Sequence, residues 1–349
     1  MCVRWRGGQY IAGGAWGLAE RCNVTGLHRT GNTGDGAFQV SRERIEGHVR
    51  TLAATPRHRE AAPEAHARAA EHIARQFEAA ECRVSRQEFP VSAHPGRKGL
   101  NLIGTVPGSS LSLPAVLIGA HYDTRPASPG ADDNASGVAA MLECARALAG
   151  QPRARSVVFI AFDAEERQDP AQGLWGSSAY VRSLQEEAEG EAAGAARSRI
   201  GAAFVLEMVG YSAPPGAQRV PLGFRLLWPA TAWRVARRGY TGDFLVAVSR
   251  GRGNRLARML SERAGLHGGP DVLPLTLLGW LPLPKDLLRT DHAPFWAAGV
   301  PAVMVGDTAS FRNPNYHLPS DTPDTVDYGM VAGLARALAE TVAQLAAES

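Results

Sequence analysis

The stretch AVLIGAHYD (residues 115–123) decides how this chain is read: six residues without a polar side chain stop abruptly at His121, with Asp123 two places on. Four further runs share its character, NLIGTV (101–106), SVVFIAF (156–162), AAFVL (202–206) and PAVMV (301–305). Most are continuously apolar rather than alternating, which fits strands covered on both faces in a largely parallel sheet sandwiched by helices. Segments 136–149 and 176–189 have helical composition and complete a βαβ rhythm, and apolar residues recur at helical spacing from Val40 to Ala54 and from Pro63 to Ala80. The expected fold is a three-layer α/β/α sandwich around a mixed, mostly parallel sheet.

Working outward, residues 1–37 are rich in Gly, Thr, Asn and Arg without a sustained period and are expected to form a poorly ordered extension to a domain spanning 38–349. Within that domain, QEEAEGEAAGAARSR (185–199) suggests a solvated loop. Residues 211–290 hold Pro-rich turns and a helix near 251–265, and they read as a lid, a substrate wall or a surface insertion.

At 349 residues and 45% hydrophobic content the chain can fill a large core without staples. Cys2, Cys22, Cys82 and Cys144 lack C-x-x-C spacing, so a metal site here must use His and carboxylate. The net charge of +3 is small, and of the 37 basic residues only Lys98 and Lys285 are lysine, a bias that does not suggest a phosphate-binding surface. No nucleic-acid partner is expected. No membrane partner is expected either, because no stretch approaches 18 uninterrupted apolar residues. The N-terminus lacks a continuous apolar core of the secretory kind, so a cytoplasmic location is expected.

Ligands of open α/β sheets bind beyond the carboxyl ends of the strands. His121 follows its strand directly, Glu165 and Glu166 follow SVVFIAF by two residues, and Glu207 directly follows AAFVL. Asp123 is placed to accept the other imidazole N–H, an arrangement that fixes the tautomer of a metal-ligating histidine. In GADDNASG (130–137) two adjacent aspartates repel unless a cation offsets them, so one of the pair is a candidate bridge between two metals. Of Glu165 and Glu166, one can coordinate while the other acts as general base, because neighbouring side chains of an extended backbone diverge. His317 lies in a Pro/Asn-rich loop suited to presenting a ligand. His292 competes with it, and Asp291 and His292 are read as outer supports. Asn134-Ala-Ser136 also matches a glycosylation acceptor and is read as a chance match.

The ordered series HYD, GADDNASGVA, FDAEE with LWGSSAYV, LEMVGY, TDHAPFW and YHLPSDTPDT, across roughly residues 40–345, resembles the co-catalytic zinc exopeptidases, which include bacterial leucyl aminopeptidases, glutamate carboxypeptidase and, more distantly, glutaminyl cyclases. The resemblance implies two zinc ions, or a single one, with His121, Asp132 and Glu207 at one and Asp132, Glu166 and His317 at the other. It implies Asp132 as the bridge, Glu165 as general base, Tyr316 as an oxyanion donor and a cis peptide between Asp132 and Asp133. One departure is Glu207, where several well-known aminopeptidases carry Asp. The expected activity is removal of N-terminal residues from a peptide substrate. Glutaminyl cyclization, carboxypeptidase or dipeptidase action are the alternatives; YHLPSDTPDT lacks the W-H-T segment of cyclases and favours the peptidase.

Overall fold

A computed structural model describes residues 38–91, 98–166, 174–186, 199–266, 268–277 and 285–348. The expected N-terminal extension and most of the expected loop at 185–199 lie outside the described residues. The strands are β1 (Arg83–Pro90), β2 (Lys98–Val106), β3 (Ala115–His121), β4 (Val157–Phe162), β5 (Ile200–Glu207), β6 (Phe244–Arg250), β7 (Asp271–Leu277) and β8 (Ala302–Gly306). They form one sheet in the order β1-β2-β4-β3-β5-β8-β6-β7. The four central strands, β4, β3, β5 and β8, run parallel, and antiparallel pairings of β2 with β4 and of β6 with β8 flank them.

Continuous apolar runs form the centre because water reaches neither face there. Every residue of β3 and β4 is buried. On one face Ile118, Phe159, Phe204 and Val305 join an apolar cluster with residues of α1 (Arg42–Leu52), α2 (Pro63–Ala79) and α3 (Gly137–Leu148). On the other face Leu117, Ile160, Phe162 and Val205 pack with α4 (Trp175–Glu186). At Gly119 a Cβ would lie 2.4 Å from the Phe162 ring, so only glycine lets the two strands pack there. Ser41 caps α1 by accepting the Arg44 N–H.

Residues 211–290 divide in two. Leu222–Leu227 (α5) and Pro229–Arg237 (α6) lie outside the sheet. By contrast β6, the helix Gly253–Leu266 (α7) and β7 extend the sheet and its helical layer. Pro274 is tolerated in β7 because the strand lies at the sheet edge. A short helix Ala293–Ala297 (α8) precedes β8, and Tyr328–Ala347 (α9) ends the fold. By length and a mean hydropathy of 1.2, α9 would suit a membrane span, yet Val331, Leu334, Leu338 and Val342 are fully buried in the core.

The chain passes from β3 out to β4 and then returns to β5 on the opposite side of β3. Such a reversal opens a crevice at the carboxyl ends of the parallel strands, and the loops after β3, β4, β5 and β8 converge on it.

Candidate metal centre and active-site cavity

Each strand end contributes one or two polar groups. His121 closes β3 with no exposure, and its Nδ1 lies 3.5 Å from Asp123 Oδ1. The Asp123 carboxylate also accepts the backbone N–H groups of Glu165 (3.2 Å) and Glu166 (3.1 Å), so one side chain sets the direction of the histidine and of the acidic pair. His121 Nε2 faces Asp133 Oδ1 at 3.3 Å, Glu207 Oε2 at 3.5 Å and Glu165 Oε2 at 4.0 Å. His317 Nε2 faces the other Asp133 oxygen at 3.2 Å and Glu166 Oε2 at 3.4 Å. Two groups of three ligand types therefore share the carboxylate of Asp133: His121, Asp133 and Glu207, and Asp133, Glu166 and His317.

The shared residue is Asp133, which corrects the expectation of Asp132. The two side chains meet different partners. Asp132 Oδ1 accepts the N–H of Gly210 (2.8 Å) and the hydroxyl of Ser136 (3.2 Å), while Oδ2 accepts from the Asn313 amide (2.7 Å). Burial, and then the neighbouring Asp307 carboxyl, push the pKa of Asp132 well above the carboxylate range. Asp132 thus fastens two distant loops to the turn and faces away from both histidines. The cis peptide is likewise one place on, between Asp133 and Asn134.

The charges of the cluster pull in opposite directions. Burial opposes ionisation of Asp133, but its contacts with His121 and His317 outweigh that and hold its pKa below the usual range. Burial raises Glu165 well above that range, with Glu207, Glu166 and Asp291 adding to the effect against His121. Glu166 rises to about 7, chiefly from burial and then from Asp133, and burial likewise raises Glu207. His317 is raised to about 9 because Asp133 and Glu166 outweigh its burial. Arg125 Nε approaches Glu166 Oε2 at 2.8 Å.

Divalent cations fit this arrangement. His121 Nε2, Asp133 Oδ1 and Glu207 Oε2 are buried without a hydrogen-bond partner among the described residues. Such groups are costly to bury unless a charge compensates them. Imidazole and carboxylate donors suit zinc, and the ligand atoms of each group lie within 4.8 Å of one another.

Among the outer residues, Asp291 is fully buried and its pKa is pushed up to about 7, mainly by burial. His292 is outside both groups. Its Nδ1 contacts the Thr290 hydroxyl at 2.5 Å, its ring meets Trp296 edge-on, and burial lowers its pKa to about 3. Tyr316 stacks on His317 with ring centres 3.7 Å apart. Asn134 is buried inside the turn, donating to the Leu206 carbonyl and accepting from Met208 N–H, which leaves the glycosylation match inaccessible.

Sequence reasoning missed Asp321 and Arg57. Asp321 accepts the backbone N–H groups of both Asp132 (2.9 Å) and Asp133 (3.1 Å). Its place in YHLPSDTPDT was the available signal. Arg57 is buried and donates to the carbonyls of Leu52, Tyr122, Pro129 and Gly130, tying α1 to the loop after β3. Its local sequence, TPRHRE (55–60), does not distinguish it from the neighbouring Arg59.

Asp133, Glu166, Glu207 and His317 of these groups, with Glu165, form the floor of a cavity of about 280 Å³. Tyr316 lies beside them, and Phe224, Trp228, Val246, Val248, Leu275, Leu287, Met304 and Phe311 form an apolar wall, with Arg289 also lining the space. Part of region 211–290 is therefore a wall of this cavity.

Known proteins resemble this chain in sequence and in fold. The pattern of Peptidase family M28 matches residues 101–237 and 282–342. YfbL, an uncharacterized protein of Escherichia coli (strain K12), is 32% identical over 276 residues, covering 76% of each chain. Aminopeptidase YwaD of Bacillus subtilis (strain 168) is 32% identical over 239 residues, covering 66% of this chain but 41% of its own length. The fold is shared with BSAP, a zinc aminopeptidase from Bacillus subtilis, at a TM-score of 0.65 and 17% identity, covering 88% of this chain and 96% of that one.

Proposed function

We propose that this chain, which belongs to peptidase family M28, is a zinc-dependent aminopeptidase that removes N-terminal residues from peptides. The observation that carries the reading is the sharing of Asp133 between two His/carboxylate groups, with Glu165 beside both, on the floor of an apolar cavity. His121, Asp133 and Glu207 would hold one zinc, and Asp133, Glu166 and His317 the other. Bound there, zinc supplies Lewis acidity towards a carbonyl oxygen and lowers the pKa of water towards ~7.

The remaining chemistry belongs to the side chains. Glu165, 4.0 Å from His121 Nε2, takes the proton of the attacking water and returns it to the departing amine. Tyr316 keeps its phenol protonated, because burial and the surrounding carboxylates raise its pKa, and donates that proton in a hydrogen bond to the carbonyl oxygen as charge develops. Asp123 holds His121 in the tautomer that leaves Nε2 free for metal. The acidic floor attracts a free amino group, and the apolar wall accepts the first side chain.

The test combines metal analysis with peptide profiling. Two zinc ions per chain, and peptides that shorten from the N-terminus, are the expected results. A chain without bound transition metal, or Glu165→Gln with wild-type turnover, sinks the mechanism. Shortening from the C-terminus, or pyroglutamate from Gln-initiated peptides, would move the activity to a carboxypeptidase or a cyclotransferase.

A further inference from the structure

The segment between Glu207 and Asp243 contains five arginines, Arg219, Arg225, Arg234, Arg237 and Arg238, and no acidic residue, although the whole chain carries a net charge of only +3. Its helices α5 and α6 turn one stripe inward: Phe224 and Trp228 pack at a tilt with ring centres 5.2 Å apart, Trp228 donates its indole N–H to the Thr276 carbonyl, and Val235 is buried. The outward surface is also apolar. Leu222 is 73% exposed, Leu226 74% and Trp233 59%, and Leu222 and Leu226 share a helix face at i, i+4 spacing. Arg237 lies over the Trp233 ring, 4.7 Å from its centre.

Large exposed aliphatic groups, an exposed tryptophan and interleaved arginines are the composition of an element that lies in a bilayer interface, with apolar groups entering the acyl boundary and cations meeting the headgroups. We propose that α5–α6 is a docking surface for an anionic phospholipid bilayer, placed on the outer side of the cavity wall. The proposal departs from the expectation of no membrane partner, which rested only on the lack of a spanning segment, and surface attachment needs none. Charge selects the occupant. A second copy meeting the same face across a two-fold axis would set Arg225 and Arg237 against their own copies, whereas an anionic surface complements them. Arg234 and Arg238 are partly neutralised by Asp271 and Asp243, which leaves Arg225 and Arg237 as the outermost cations to test.

The full chain is sedimented with vesicles of phosphatidylcholine alone and of phosphatidylcholine mixed with phosphatidylglycerol. Binding is expected on the anionic vesicles at least ~10-fold above the neutral ones, and is expected to weaken as salt approaches ~1 M, where the screening length falls to ~3 Å. Arg225→Glu and Arg237→Glu should each lower binding roughly fivefold, and Leu226→Glu combined with Trp233→Glu on the order of tenfold. Leu111, 79% exposed on the loop before β3, provides a control: Leu111→Glu should bind as wild type. Peptidase turnover on a soluble substrate should be unchanged in all these variants, and unaltered melting would show that they fold. Equal binding to both vesicles, or undiminished binding by the double variant, overturns the proposal. So does a wild-type dimer in solution that the double variant converts to monomer, since that outcome assigns the face to a second copy.

Discussion

The floor and the wall of the cavity are built on opposite physical terms. The floor gathers charged groups: His121 and Asp133 are buried, Asp123 lies beside His121 Nδ1, and Asp321 accepts the Asp133 backbone N–H. The wall places Phe224 and Trp228 at the edge of an exposed helical pair, where the constraints are packing and a single indole hydrogen bond. Displacing a floor residue leaves charges without partners; displacing a wall residue changes a shape. The difference teaches that the chemistry of this molecule is rigidly specified while its substrate preference is adjustable, since an unpaired buried charge costs far more than a lost apolar contact.

The strongest way to break the comparison is within the floor. Asp133→Asn should abolish stoichiometric binding at both metal positions and lower kcat/KM by at least ~10³-fold, since it removes the shared charge. Asp132→Asn should retain metal, because its partners are Gly210, Ser136 and Asn313, and should lose about 1–3 kcal/mol of stability. Metal analysis and thermal melting of the pair read both effects. Equal metal loss in the two variants would contradict the assignment of Asp133.

Chelation comes next. Removing metal with EDTA should lower Tm by an amount equivalent to ~4 kcal/mol at a starting metal concentration of about a thousand times Kd, and zinc should restore it. Between the floor and the wall in size is a scaffold effect that pH experiments must separate from the site. His48, on α1, is buried beside His72, with ring nitrogens 3.2 Å apart, and burial lowers its pKa to about 4. The folded state therefore binds fewer protons than the unfolded one. This contribution to stability is present above pH ~6.5 and is lost as pH falls towards 4, up to about 3 kcal/mol. A His48→Gln variant should flatten the acid limb of a melting-temperature profile; an unchanged limb would place that sensitivity in the carboxylates of the floor.

The smallest effect tests the wall. Trp228→Ala should lower kcat/KM for bulky apolar N-terminal residues about tenfold relative to alanine, with metal content unchanged. Profiling a set of aminoacyl-nitroanilides measures it. A uniform loss across all side chains would mean that Trp228 supports the floor instead.

Sequence legibility followed the same division. His121, Glu166 and Glu207 could be read because strands covered on both faces leave apolar runs, and a charged group at the end of such a run is conspicuous. The choice between Asp132 and Asp133 was not encoded locally. It depends on which side chain meets Asn313 and Gly210, residues distant in sequence that the fold brings to the turn. The fold was legible in its central strands, whereas β1 was hidden by its half-exposed polar residues and β7 by Pro274. β6, FLVAVSR, carries the apolar signal of a buried strand, but the Pro-rich turns around it drew the whole of 211–290 into a single irregular segment.

The two N–H groups held by Asp321 also constrain the order of assembly. The turn that presents Asp133 is translated early, yet its clasp and His317 arrive with the last loop of the domain, nearly two hundred residues later. Contacts of such long range form late, because the intervening chain must first be closed. A nascent chain can therefore lay down β3, β4 and β5 with their acidic ends while still unable to complete the second ligand group. Both ligand groups are complete only once the loop carrying His317 and Asp321 has closed onto the turn.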